Sequence, residues 1–491
     1  MLENFIHGFL LLVSDPFTLL LFFAGLFGGL IFGAFPGVNS LTLCAIILPF
    51  TASLTPSDGI MLFSVIYCSG TYAGAVTAIL FNIPGSPENA PTCFDGYPMT
   101  LQGKASLAIG AAVTCSALGG MFSAVVMMFA TPMVADVAVR AFGQAEIFAL
   151  IFFGLTVAGT VGAKSVWKGW LSVLFGLFLA SVGTDAAEGV PRYTFGSYYL
   201  RAGIHFIPVI LGFFAVAEVL IQGQRIAEKL RVPPKVSVEF PSFLTFWRLR
   251  IAIVRSMLIG LFAGVLPGIG GTLGSFLSYG EAVRWSRNRE RFGKGEIEGV
   301  VAAETANNAA SGGAMIPLLA LGLPGGALTA MMLGVFQIHG MEPGPSIMMT
   351  SKDLVWVTFV AMFMANALIF VLGYVETKTT VHLLRIPFPL LAPAILVLST
   401  IGAYSLRNLI IDAWVMYIAG IAAYFLRKWG YSAAGVVLGI ILGYLGESAF
   451  VKTMKLYEYD LSVFMTRPIS ASLILLGLAT MVYGMVRRNE R

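Results

Sequence analysis

The chain has 491 residues, 57% of them hydrophobic and only 11% charged. Soluble domains carry about 25% charged residues, so a water-soluble globule is excluded and a polytopic helical membrane protein is expected. The net charge of +5 sits in short loops, as orientation determinants do, and gives no sign of nucleic-acid binding.

Residues 1–15 lack the basic start of a cleavable signal peptide and are too short to span, so they read as an interfacial segment. Apolar arms at 17–35 and 41–50 flank Pro36-Gly37-Val38-Asn39-Ser40, a hairpin whose far loop has no basic residue and reads as periplasmic. Residues 59–99 cross inward with a break at Pro84-Gly85-Ser86. Spans follow near 105–130, 147–161, 169–182 and 206–221. Cys44, Cys68, Cys93 and Cys115 lie in or near these apolar stretches and read as small packing residues.

The stretch 224–250 carries Arg225, Lys229, Arg231, Lys235, Arg248 and Arg250, and 284–294 carries Arg284, Arg287, Arg289, Arg291 and Lys294. Both read as cytoplasmic, so the segment between them enters and leaves on one side. Its arms, 251–266 and 272–283, fall short of the ~20 residues of a span. A re-entrant hairpin with Pro267-Gly268-Ile269-Gly270-Gly271 at its tip fits best; two tilted short spans are the alternative. Residues 300–339 cross outward with a break at Pro324-Gly325, and spans follow near 354–375, 388–401, 409–426, 433–444 and 470–486.

The expected fold is therefore all-α: two inverted repeats, each a hairpin, a broken helix and about four spans, plus one C-terminal helix. The boundaries are 1–15 for the interfacial segment, 16–222 and 251–450 for the repeats, 223–250 for a cytoplasmic linker, and 451–491 for the last helix and basic tail. Lys104, Lys164, Lys168, Lys378, Arg385, Arg427, Lys428, Arg487, Arg488 and Arg491 then fall inside. Arg140, Arg192, Arg201, Arg407, Lys452 and Lys455 fall outside, against the trend.

The Pro-Gly motif occurs four times, as two matched pairs: Pro36-Gly37 with Pro84-Gly85, and Pro267-Gly268 with Pro324-Gly325. Proline and glycine break helices. In lipid the freed backbone groups persist only against protein or a water-filled cavity, so paired breaks point to a mid-membrane ligand site in a secondary transporter. The substrate-binding candidates are these residues with Asn39, Ser40, Ser86, Gly270, Thr272, Asn307 and Asn308. The competing reading is that small residues only let helices pack closely.

Glu304, Asn307 and Asn308 lie inside the second broken helix, where polar groups are costly unless functional or paired. With Thr272 they are the cation-binding candidates; the competing reading is hydrogen bonding between helices. Glu88 and Asp95 read as solvated loop charges, and Glu218 and Asp412 as interfacial ones. No lysine or arginine lies in the broken-helix blocks or at the tips. The charge of an anionic substrate would thus be offset by helix N-termini and by co-transported Na+ or H+. His7, His205, His339 and His382 lack metal-ligand spacing. No P-loop, zinc-protease or nucleophile-elbow motif occurs, so neither an enzyme nor a cofactor is expected, nor any metal other than Na+.

The run from Phe292 to Gly325, with Glu304-Thr305-Ala306-Asn307-Asn308 and Leu323-Pro324-Gly325 inside it, resembles the large membrane subunit of tripartite tricarboxylate transporters. Asp95-Gly96-Tyr97-Pro98-Met99, Leu391-Ala392-Pro393 and Ile401-Gly402-Ala403-Tyr404 resemble it too. The resemblance implies a bacterial inner-membrane carrier, and the loop charges put the C-terminus in the cytoplasm. The resemblance also implies a small membrane subunit and a periplasmic solute-binding protein as partners, uptake of di- or tricarboxylates on a cation gradient, and elevator-type alternating access. A homo-oligomer is left open. The sequence departs from the usual pattern at Val38-Asn39-Ser40 and at Ser86-Pro87-Glu88-Asn89, which is more polar than the usual run of small residues. Two other functions compete: an ion-translocating channel or exchanger without organic substrate, and a membrane scaffold that needs partners for all activity.

Overall fold

The computed structural model describes residues 1–35, 39–161, 165–185, 189–224, 239–266, 270–383 and 388–486. Pro36, Gly37, Pro267 and Gly268, Lys164 and Arg385, and the basic residues from Arg225 to Lys235 and from Arg487 to Arg491 lie outside these. The main helices are α1 (Leu2–Ser14), α2 (Pro16–Gly33), α3 (Ser40–Ile47), α4 (Pro56–Phe81), α5 (Ala90–Leu101), α6 (Ala105–Ala141), α7 (Gln144–Val161), α8 (Val166–Ser181) and α9 (Phe206–Gln224). There follow α10 (Phe243–Val265), α11 (Gly270–Trp285), α12 (Ile297–Leu321), α13 (Ala327–Ile338), α14 (Lys352–Leu383), α15 (Phe388–Ser405), α16 (Ile410–Lys428), α17 (Ala433–Leu456) and α18 (Pro468–Val486). A small hairpin, β1 (Gly183–Thr184) and β2 (Pro191–Arg192), is antiparallel.

Seven of the described helices are long and apolar enough to cross a membrane. Several differ from their expected lengths. α6 continues to Ala141 through Pro132, and α17 to Leu456. α10 starts at Phe243, Ser242 capping it by accepting from Thr245 N, so it takes up the end of the expected linker. Hydropathy misses these extensions because hydrogen bonding carries a helix past its apolar stretch.

The centre is built from α4 and α12, all or nearly all of whose residues are buried. α2 packs on α4 as α10 packs on α12, and α14 packs on α4 as α6 packs on α12. Outside this core α8 packs along α17, and α9 packs on α16. Both of these contacts are glycine-to-glycine, Gly176 with Gly439 and Gly212 with Gly420, which lets the backbones touch.

The two breaks are made alike. α4 ends on left-handed Asn82 (φ 59°) and α12 on left-handed Gly322 (φ 73°). In each, the next amide reaches back, Ile83 to the Thr77 carbonyl (3.4 Å) and Leu323 to the Pro317 carbonyl (3.1 Å), a Schellman-type stop. The chain then turns under the hairpin. A Cβ on Gly85 would stand 2.5 Å from the Gly33 oxygen, and one on Gly325 2.5 Å from the Gly264 oxygen. Only glycine permits that approach.

Candidate functional site

Beside these breaks lies a cavity of about 1000 Å³. The first hairpin contributes Asn39, Ser40 and Thr42, and the first break Ser86 and Glu88. The second hairpin contributes Gly270, Gly271 and Thr272, and the second break Gly326. Thus five of the expected site residues, Asn39, Ser40, Ser86, Gly270 and Thr272, face one space. Pro84, Gly85, Pro324 and Gly325 do not line it; the two glycines form the packing joints described above. Pro36, Gly37, Pro267 and Gly268 lie outside the described residues.

Both helix starts at the cavity have carboxamide or carboxylate neighbours from the chain itself. Asn39 Oδ1 accepts from Thr42 N (3.1 Å) and caps α3. At α11 the Glu88 carboxylate stands over the start of the helix, its carboxyl carbon 2.7 Å from where a Cβ on Gly271 would be. Glu88 therefore belongs to the cavity wall, not to a solvated loop.

A basic side chain from outside the broken-helix blocks and the tips also reaches the cavity. Arg427 at the end of α16 lines it, and its Nη1 donates to Glu218 Oε2 of α9 (2.8 Å). Gln222 Nε2 donates to the other oxygen (2.8 Å). Two charges read as orientation and interface signals are thus a pair in the wall.

Glu304 is wholly buried in α12. Its Oε1 accepts from Asn89 Nδ2 (3.3 Å) and from Thr92 Oγ1, and its Oε2 from Ser116 Oγ (3.2 Å). Asn89 in turn donates to the Thr71 carbonyl (3.0 Å), and its Oδ1 accepts from Ser86 Oγ (2.8 Å). Ser86 and Thr71 line the cavity, so one asparagine joins the cavity to the buried carboxylate. Nearby in the same helix, the side-chain oxygens of Asn307 and Asn308 are buried without a hydrogen-bond partner; Asn366 Oδ1 of α14 is likewise unpaired. Buried amide oxygens left unpaired are costly and suit a hard cation. Thr272, grouped with them from the sequence, lines the cavity and makes no described hydrogen bond to Glu304.

Two more expectations are corrected. Asp95 is fully buried. It accepts from Gly295 N (2.9 Å), Glu296 N (2.8 Å) and Tyr279 Oη (2.9 Å), so it caps the start of α12 from the other half of the chain. Beside it, burial holds the Glu296 carboxyl above its ordinary range. Asp412 is buried under Arg407, which donates to both its oxygens. The four cysteines are free and buried, as expected.

Seven apolar helices long enough to cross a membrane mark a multi-pass membrane protein, with a cavity among its helices walled in part by polar and charged side chains. The chain belongs to the tripartite tricarboxylate transporter TctA family, whose model matches residues 19–438. It is 36% identical over 471 residues to an uncharacterized 52.8 kDa protein in the TAR-I ttuC' 3' region of Agrobacterium vitis, covering 96% of this chain and 94% of that one. It is 38% identical over 227 residues to a protein in the TAR-II ttuC' 3' region of the same organism, covering 46% of this chain and 94% of that one. No solved structure matches. Family membership implies the large subunit of a tricarboxylate transporter, working with a small membrane subunit and a periplasmic binding protein.

Proposed function

We propose that this protein is the permease subunit of a cation-coupled transporter in the bacterial inner membrane. It takes a di- or tricarboxylate from a periplasmic binding protein into the cavity between the two hairpin tips. One observation carries this reading: the Ser86–Asn89–Glu304 hydrogen-bond chain connects that cavity to a buried carboxylate flanked by unpaired amide oxygens. A cation held by Glu304, Asn307 and Asn308 can thereby sense and offset the charge of an anion in the cavity. Sodium fits the amide oxygens; a proton would use Glu304.

The swapped packing pairs, α2 on α4 with α10 on α12 and α4 on α14 with α12 on α6, support two inverted repeats. The repeats in turn support elevator-type alternating access, with the C-terminus cytoplasmic. The test is uptake into vesicles holding all three subunits, under imposed sodium or proton gradients, with carboxylates of graded charge. Accumulation driven by one gradient and dependent on the binding protein is expected. Uptake indifferent to both gradients refutes the coupling, and ion flux without carboxylate uptake favours a channel.

A further inference from the structure

A second cavity, of about 400 Å³, lies where α8 ends and α17 runs on. The two helices run parallel, Ser172 meeting Gly435, Gly176 meeting Gly439 and Ala180 meeting Gly443. The later turns of α17 therefore project past α8 and, with the β1–β2 hairpin, wall a space. Four cations line it, Arg192, Arg201, Lys452 and Lys455, against two carboxylates, Asp185 and Glu447.

Glu447 is taken up by Arg192 through two bonds, of 2.5 Å and 3.1 Å. Arg192 Nε is buried with no hydrogen-bond partner. Arg201, Lys452 and Lys455 are exposed and form no ion pair among the described residues. Like charges gathered around one cavity repel each other. The loop charges of the sequence put this end of the bundle outside, where lysine and arginine are disfavoured. Neither local pairing nor orientation explains these residues, whereas a bound anion does.

Two features set the cavity at the depth of phospholipid headgroups. Leu171, Leu174 and Phe178 form an exposed apolar stripe along α8, suited to acyl chains. The stripe ends where Phe178 meets Tyr193, ring centroids 5.4 Å apart, and Tyr193 is the neighbour of Arg192 in sequence. Phe195 and Tyr198, 88% and 81% exposed, extend an aromatic group of the kind that marks the membrane–water boundary. A headgroup phosphate there would meet Arg and Lys donors, with its chains on α8.

We propose that this cavity binds the phosphate headgroup of an anionic phospholipid. The test is native mass spectrometry of the full-length protein reconstituted in phosphatidylglycerol or in phosphatidylcholine. Wild type should retain phosphatidylglycerol at least about tenfold over phosphatidylcholine, as expected for several cations near one headgroup. R201Q/K452Q/K455Q should lose the preference, and R201K/K452R/K455R should keep it. The single glutamine variants should lose it in part, which keeps the test decisive if the triple variant does not fold. Equal retention of the two lipids by wild type, or an unchanged preference in the neutralised variants, overturns the assignment. Binding of inorganic phosphate without any preference between the lipids would assign the cavity to a free anion and overturn it as well.

Discussion

Glu304 offers a sharp separation between coupling and packing. Its two oxygens accept from three donors, Asn89 and Thr92 on one and Ser116 on the other. In Glu304→Gln the amide oxygen can keep Asn89 and Thr92. The new NH2 then faces Ser116, whose hydroxyl can rotate from donor to acceptor, so the three existing partners keep a bond and at most one new N–H is left unpaired. In Glu304→Ala up to three buried donors lose their acceptor, each at about 1–3 kcal/mol, and a cavity opens as well. Thermal unfolding of the purified protein should therefore be near wild type for Glu304→Gln and clearly lowered for Glu304→Ala. Gradient-driven uptake should fail in both, because the amide carries no charge to hold Na+ and no titratable proton. If Glu304→Gln unfolds as early as Glu304→Ala, the hydrogen-bond account is wrong. If it is stable and still driven by the gradient, Glu304 is only glue between helices.

Alanine at Gly85 or Gly325 should destabilise the protein strongly, since each Cβ would stand 2.5 Å from a hairpin carbonyl oxygen; at Gly326, where nothing lies within 4 Å, it should be tolerated, and melting curves decide. Arg427→Gln removes the one cation of the cavity wall among the described residues and should raise the half-saturating carboxylate concentration at least about tenfold; an unchanged value would make the Glu218 pair purely structural. Asp95→Ala, which leaves the Gly295 and Glu296 amides and the Tyr279 hydroxyl without their acceptor, should cost about 1–3 kcal/mol for each donor left buried and unpaired, read as a lower melting temperature with no change in ion selectivity. In wild type the native cysteines are buried, so an impermeant thiol reagent added outside should label Tyr198→Cys and spare Asn288→Cys; labelling of both from one side would sink the proposed topology.

The helical, membrane-embedded character and the positions of the breaks were legible in the sequence, because both are local. Long apolar runs state their own solvent, and proline, glycine and asparagine state where a helix stops, as Asn82 and Gly322 do. The cavity residues found in advance, Asn39, Ser40, Ser86, Gly270 and Thr272, all adjoin such stops. What the sequence left undecided was the partner of each charge. Arg427 looked like any basic residue at a helix end, and Glu218 and Asp412 like any interfacial acid. The Arg427–Glu218 pair follows from α16 meeting α9, whereas Asp412 is paired within its own turn, with Arg407 five residues before it. Glu88 and Asp95 likewise became a cavity carboxylate and a helix cap only because the first broken helix docks on the second half of the chain. A charge in a low-dielectric interior is defined by what stands within a few ångströms of it. For residues more than a hundred positions apart in sequence, only the tertiary structure decides that.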